Sequence, residues 1–153
     1  WPRSCPSESR REARVARASA PGRVRAVKVV AIDYGSARTG VAVSAGALAQ
    51  PLEVIERIGA REGVERLRAV LAEHEAELLL VGLPLLADGT HGEQANATLA
   101  FVGRLRPQID VPIELEDERF TSAAAERVGG GAALDARAAA VLLQGWLDRR
   151  ESA

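Results

Sequence analysis

The sequence predicts an α/β domain in which a mixed five-stranded sheet carries helices on both faces. The chain has 153 residues, the length of a single domain. Three strand-like segments come first, and helical and strand-like segments then alternate, which is the order of an antiparallel meander followed by crossover units. Hydrophobic residues make up 47% of the chain and aromatic residues only 3%, so we expect a core of Ala, Val and Leu.

The first three strands are predicted from short apolar runs. Residues 27–32 (VKVVAI) are nearly continuously apolar and are followed by Asp33, as a buried strand would be. A glycine-containing turn covers residues 34–39, and residues 40–44 resume as a second strand, which predicts a hairpin. A third strand is expected near residues 53–58.

The second half of the chain alternates between helical and strand-like patterns. Apolar residues at helical spacing indicate helices, and short apolar runs bounded by Gly or Pro indicate buried strands. The expected elements are, in chain order, a helix over residues 63–76, a strand over 78–81, a helix over 93–105, a strand over 111–115, a short helix over 121–128 and an Ala-rich helix over 134–147.

Charge is distributed unevenly along the chain. The net charge is −1, but residues 1–28 carry eight basic and two acidic side chains, which leaves twelve basic and nineteen acidic ones for the rest. Residues 1–26 lack a hydrophobic period, so we expect a disordered basic tail ahead of a domain over residues 27–150. The acidic body argues against a protein that binds nucleic acid through a generally basic surface.

Composition excludes several classes of protein. No apolar run approaches the roughly 20 residues that a membrane span needs, and no apolar segment typical of a secretory signal is present. Cys5 is the only cysteine, which excludes a disulfide scaffold and a cysteine-based zinc site. His74 and His91 do not have the spacing of metal ligands. We therefore expect a cytoplasmic protein.

Carboxylates stand at the ends of two predicted strands. Asp33 follows the first strand, residues 116–118 (EDE) follow the fifth, and Asp135 lies near the start of the last helix. If the first and fifth strands are neighbours, these acids share one edge of the sheet. Crowded carboxylates repel one another, and a divalent cation removes that penalty. Hard oxygen ligands favour Mg²⁺ or Mn²⁺, and two such ions would clamp a phosphodiester between attacking water and leaving oxygen.

Each acid, taken alone, also has a simpler structural interpretation. Asp33 precedes a turn, where Asp is common. Residues 116–118 could form a solvated loop, and Asp135 follows a glycine-rich break, where a helix N-cap belongs. Only their shared position at predicted strand ends favours a site.

Four segments resemble the motifs of the YqgF/RuvX family, in the same order and spacing. Residues 33–44 (DYGSARTGVAVS) are similar to its first motif, and residues 81–95, with VGLPL, DGT and GEQA, to its second. Residues 117–122 (DERFTS) resemble the third, and residues 135–144, with Asp135 and AAAVLLQ, the fourth. The similarity runs from about residue 27 to residue 147. These Holliday-junction-resolvase-like proteins are also described as pre-16S rRNA nucleases with an RNase H-like fold.

The resemblance implies a metal-dependent endonuclease with Mg²⁺ or Mn²⁺ as cofactor, acting in 5′-end processing of pre-16S rRNA. The positions that it implies are Asp33, Glu118 and Asp135 as catalytic metal ligands, Asp117 as an alternate, and Arg38, Arg119 and Thr90 as contacts to substrate. Ion pairs with adjacent acids are the alternative role for the two arginines, and a turn is the alternative for Thr90.

The chain departs from the family pattern just before its last acid. Residues 129–134 (GGGAAL) replace a longer basic segment that family members commonly carry, which implies weaker substrate binding or a displaced Asp135. The alternatives to an rRNA nuclease are a nuclease for branched DNA and a non-catalytic module that binds RNA or a transcription complex. Phosphoryl transfer to a small molecule ranks last, because actin-like ATPases need two such domains. The expected partner is nucleic acid, bound by a monomer or homodimer.

Overall fold

The computed structural model describes residues 25–120 and 132–153, and these residues form five strands and three α-helices. In chain order the elements are β1 (Val29–Asp33), β2 (Arg38–Ala45), β3 (Leu48–Glu56), α1 (Arg61–Glu73), β4 (Leu78–Leu83), α2 (Glu93–Leu105), β5 (Ile113–Asp117) and α3 (Ala132–Glu151). Short 3-10 turns follow α2 and β5. Most of the expected tail and the expected short helix over 121–128 lie outside the described residues.

The five strands form one mixed sheet in the order β3-β2-β1-β4-β5. β1, β2 and β3 pair antiparallel, whereas β4 pairs parallel with both β1 and β5. This architecture confirms the predicted fold class. The expectation that the first and fifth strands are neighbours is wrong, because the chain returns through α1 to place β4 beside β1, and β5 is added outside β4.

Helices cover both faces of the sheet, as the sequence predicts. Successive residues of a strand point to opposite faces, and β1 is apolar on both. Val30 and Ile32 belong to a core with α1 and α2, whereas Val29 and Ala31 pack against α3. A strand buried on both faces explains why β1 reads as a continuous apolar run rather than an alternating one.

The element boundaries differ from prediction mainly at exposed positions. β3 begins at Leu48, five residues before the predicted start, because it is an edge strand whose first half is exposed and lacks an apolar pattern. Pro51 is tolerated there because an edge strand can lack one ladder hydrogen bond. α3 begins at Ala132, so Asp135 lies in its first turn, and the expected N-cap role is wrong.

α3 is anchored to the sheet by polar side chains near its C-terminal end. Gln144 accepts a hydrogen bond from the Ala49 backbone N–H (2.8 Å) and donates one to the Ala47 carbonyl (3.0 Å), on the β2–β3 side. On the other side, the Trp146 indole donates to Glu114 of β5 (2.8 Å). These contacts hold the C-terminal half of α3 against the sheet. None of the helices within the described ranges is long and apolar enough to cross a membrane.

Candidate active site

Asp33 ends β1 on the face of the sheet that α3 covers. Its side chain is only 5% exposed, and its partner in the β1–β2 ladder is Gly40. The β1–β4 register places Ile32 beside Val81, so Gly82 follows next to Asp33 on the other side. Asp33 therefore lies between two strands that each have a glycine at the adjacent position.

Gly40 allows the first turn of α3 to rest directly on β2. A Cβ atom at Gly40 would lie 1.8 Å from the backbone oxygen of Asp135 and 2.8 Å from the backbone nitrogen of Ala136, closer than real Cβ atoms approach. The missing side chain thus brings Asp135 beside Asp33, although about a hundred residues separate them in the chain.

Gly82 makes room for Glu118 in the same way. A Cβ atom there would lie 2.0 Å from Glu118 Oε1, and Glu118 is only 2% exposed. The Glu118 side chain therefore reaches back from the end of β5 across β4, toward β1. β1 and β5 are not neighbours, but β4 has no side chain at Gly82 to keep Glu118 away from the end of β1. We call the end of the sheet that carries Asp33, Glu118 and Asp135 the acidic corner.

One carboxylate oxygen at this corner lacks a hydrogen bond. Asp135 Oδ2 is buried without a hydrogen-bond partner, although Arg38 Nε lies 3.3 Å from it in an ion pair. The contact is electrostatic, because its geometry does not meet that of a hydrogen bond. A buried acceptor without a hydrogen-bond donor costs free energy, and the ion pair with Arg38 offsets part of that cost.

The other two acids of the 116–118 segment are engaged in ion pairs. Glu116 pairs with Arg149 of α3. Asp117 accepts hydrogen bonds from the Arg119 backbone N–H (2.9 Å) and from its guanidinium (2.7 Å to Nη2). The side-chain hydrogen bonds from Arg119, helped by the backbone one, hold the pKa of Asp117 below its ordinary value. Asp117 is therefore held by Arg119, whereas Glu118 is buried over Gly82.

We expect the Asp117–Arg119 pair to make stability depend on pH in the acid range. A carboxyl with a lowered folded-state pKa stabilises the fold above its unfolded-state pKa, and this stabilisation is lost as the pH falls through the folded-state value. Calorimetry between about pH 6 and pH 2 should show a shallower fall in Tm for Asp117→Asn than for the wild type. Parallel curves would contradict this assignment.

Thr90 lies in a hydrogen-bonded turn between β4 and α2. Asp88 Oδ1 accepts hydrogen bonds from the Thr90 hydroxyl (2.6 Å) and backbone N–H (2.9 Å), which lower the pKa of Asp88. The Arg119 guanidinium lies against Gly89, whose φ of +85° suits glycine. The Thr90 hydroxyl is therefore used in a hydrogen bond within the turn, and the turn packs against the Arg119 guanidinium.

A cleft of about 370 Å³ opens beside the acidic corner. Glu118 and Arg119 line one side of it, and the segments 84–86 and 92–94 line the other. Of the three predicted substrate contacts, Arg38 lies at the corner, Arg119 lines the cleft, and Thr90 is not among the lining residues.

The acids at this corner suit a hard divalent cation in chemical type. Asp33, Glu118 and Asp135 offer carboxylate oxygens, which Mg²⁺ and Mn²⁺ prefer, and Asp135 Oδ2 accepts no hydrogen bond. Among residues 25–120 and 132–153, no three His, Cys, Asp or Glu side chains lie close enough together to hold a metal ion. The fit to a cation is therefore one of ligand chemistry.

Residues 27–149 match the model of the RuvX family, described as Holliday junction resolvase. The chain belongs to the RuvX family. Two similar relatives are each named "Putative pre-16S rRNA nuclease". The one from Desulforamulus reducens is 38% identical over 133 residues, covering 80% of this chain and 97% of the relative. The one from Anaeromyxobacter dehalogenans is 39% identical over 135 residues, covering 81% and 98%.

The RuvX chain also shares its fold with solved structures. Thermus thermophilus RuvC in complex with a Holliday junction substrate superposes with a TM-score of 0.54 at 20% identity, over 82% of this chain and 96% of RuvC. A second Thermus thermophilus RuvC structure gives a TM-score of 0.52 at 18% identity, with 82% and 97% coverage. RuvC has an RNase H-like fold, so the expected fold is confirmed. RuvX proteins are nucleases, which confirms the predicted enzyme class at the level of the family.

Sequence reasoning did not identify Gly40 and Gly82 as part of the RuvX site. Both lie inside strands, where an isolated glycine signals a close approach by another part of the chain. That signal was present in the sequence, but it does not say which segment approaches. The structure supplies the answer: the backbone of Asp135 at Gly40, and the carboxylate of Glu118 at Gly82.

Proposed function

We propose that this RuvX protein is a metal-dependent endonuclease that hydrolyses phosphodiester bonds during 5′-end maturation of pre-16S rRNA. The proposal is supported by the positions of three acids at one end of the sheet: Asp33 opposite Gly40, Asp135 with its backbone over Gly40, and Glu118 over Gly82. The names of the relatives support the substrate class. Because pre-rRNA is a cytoplasmic molecule in bacteria, the proposal places the activity in the cytoplasm.

Asp33, Glu118 and Asp135 would hold Mg²⁺ or Mn²⁺. When bound, such an ion supplies positive charge to the phosphodiester and lowers the pKa of water. The protein's own contribution is to hold three negative groups at one end of the sheet before substrate arrives. Asp33 is fixed by the β1 ladder, Asp135 by the first turn of α3, and Glu118 by its burial over Gly82.

Arg38 is the side chain best placed to bind a phosphate at this corner. It is 44% exposed while it lies 3.3 Å from Asp135 Oδ2, so its guanidinium can turn outward without crossing the core. Arg119 is less available, because Asp117 occupies its Nε and Nη2 atoms. We therefore assign phosphate binding to Arg38, whereas Arg119 lines the cleft.

Arg38→Ala should weaken RNA binding and should make the binding affinity less sensitive to salt. Loss of one phosphate contact lowers the slope of log Kd against log salt by about 0.7, the value for a single-stranded nucleic acid. The measurement is fluorescence anisotropy with a labelled pre-16S rRNA leader in EDTA. Arg61→Ala is the matched control, because Arg61 is exposed on α1, on the opposite face of the sheet from α3. An unchanged slope for Arg38→Ala would contradict the assignment.

Cleavage assays decide between this proposal and its alternatives. The labelled pre-16S rRNA leader and a labelled four-way DNA junction are incubated with the protein in Mg²⁺, Mn²⁺ or EDTA. We expect cleavage of the rRNA leader with either cation and none in EDTA. Preferential cleavage of the junction would favour a DNA substrate, and binding without cleavage would favour a non-catalytic module.

A further inference from the structure

Gly82 is the fifth of the six residues of the buried strand β4, in a conformation that does not require glycine. Its φ angle is outside the left-handed region that favours glycine, and all six residues of β4 are buried. Glycine weakens a strand relative to residues with a side chain. The reason for glycine here is therefore space rather than backbone conformation.

The space above Gly82 is filled by the Glu118 side chain. A Cβ atom at Gly82 would lie 2.0 Å from Glu118 Oε1, 2.9 Å from its Cδ, and 3.0 Å from Leu142 Cδ2. Leu142 belongs to α3 and is fully buried between that helix and the sheet, so it cannot move aside freely. The carboxylate of Glu118 is thus held in a notch that the absence of one methyl group creates.

We infer that Gly82 is a positioning residue, whose missing side chain sets the place of the Glu118 carboxylate at the acidic corner. The expected effect on cation binding rests on the proposed function. The steric contact itself does not depend on any bound ion.

The atoms that a new side chain would meet differ between Gly40 and Gly82. At Gly40 the obstructing atoms belong to the backbone of Asp135 and Ala136, so a side chain there would displace α3 from the sheet. At Gly82 the nearest obstructing atom is the end of a side chain with several rotatable bonds. Gly82→Ala can therefore keep the fold, while the Glu118 oxygen must move from 2.0 Å to beyond about 3.0 Å from the new methyl group.

The test enlarges the side chain at residue 82 and shortens the side chain at residue 118. Gly82→Ala, Glu118→Asp and the double variant are compared with the wild type, because aspartate is one methylene shorter and gives back the room that alanine takes. Gly103→Ala is the matched control, since Gly103 is exposed and nothing lies within 4 Å of a Cβ atom there.

The first measurement is urea unfolding in EDTA, which needs no cation. Gly82→Ala should unfold at a lower urea concentration than the wild type. The shift should be smaller when Glu118→Asp is already present, because contacting residues are non-additive. Additive shifts would overturn the steric contact.

The second measurement is Mn²⁺ affinity by calorimetric titration. Gly82→Ala should bind Mn²⁺ roughly 10–100-fold more weakly, the usual cost of losing a group that orients a ligand, and the double variant should bind more tightly than Gly82→Ala. Wild-type affinity in Gly82→Ala would overturn the positioning role. If the wild type binds no Mn²⁺, the proposed function fails, while the urea experiment still decides the contact.

Discussion

Asp33→Asn is expected to lower the rate of pre-16S rRNA cleavage by more than about 100-fold, because losing even a group behind a metal ligand costs roughly 10–100-fold. Asp33 is buried at the centre of the acidic corner, between Gly40 and Gly82. The substitution keeps the shape of the side chain and removes its negative charge. Single-turnover cleavage of the labelled leader in Mg²⁺ gives the rate.

The control for Asp33→Asn is Asp110→Asn. Asp110 is exposed and lies before β5 on a different part of the surface, so its neutralisation should leave the rate unchanged. Thermal unfolding of each variant checks that the fold is intact. Near-wild-type cleavage by a folded Asp33→Asn protein would contradict a catalytic role for Asp33.

The second large effect is expected from Glu118→Gln, which should also lose more than about 100-fold in rate. Its neighbour Asp117 is the internal comparison. Asp117→Asn should lose less than about tenfold, because that carboxylate is held by Arg119 and supports the local structure rather than the corner. Of the two acids, Glu118 is the one whose carboxylate lies over Gly82.

The comparison of these two neighbours decides which acid serves the site. Both variants are assayed on the same labelled leader, at the same cation concentration and after the same check of folding. A greater loss in Asp117→Asn than in Glu118→Gln would make Asp117 the functional acid and would overturn the assignment drawn from burial.

Local patterns were sufficient to predict most of the elements. The helix over 93–105 has the predicted bounds, and β1 and β2 form the predicted hairpin. These patterns are set by residues close in the chain, whose spacing determines which face is buried. β3 was predicted too short because the first half of an exposed edge strand has no apolar pattern to detect.

The order of the parallel strands could not be predicted from the same patterns. β4 (LLLVGL) is apolar throughout and β5 (IELED) alternates between apolar and acidic residues, but neither local pattern names the strand that pairs with β1. The expectation that acids at the ends of the first and fifth strands share one site stays a prediction, and the structure places Glu118 near the end of β1 by a route that the sequence did not predict. Glu118 crosses β4 over Gly82, a contact between residues 36 positions apart that only the folded chain specifies.

The motif residues also divide into two groups that sequence similarity does not separate. Asp33, Glu118 and Asp135 lie at the acidic corner, whereas Thr39 and Gln144 maintain the scaffold. Thr39 is fully buried and its hydroxyl donates to the Gly35 carbonyl in the hairpin turn. Similarity to a motif identifies both groups, and only the contacts tell them apart.

The most direct measurement is an anomalous difference map from crystals of the wild-type protein soaked in MnCl₂. The account predicts a peak bonded to oxygens of Asp33, Glu118 and Asp135, at about the 2.0–2.1 Å distance of small octahedral cations. Crystals that show no peak at the end of β1, or one that none of these three side chains contacts, would contradict the account.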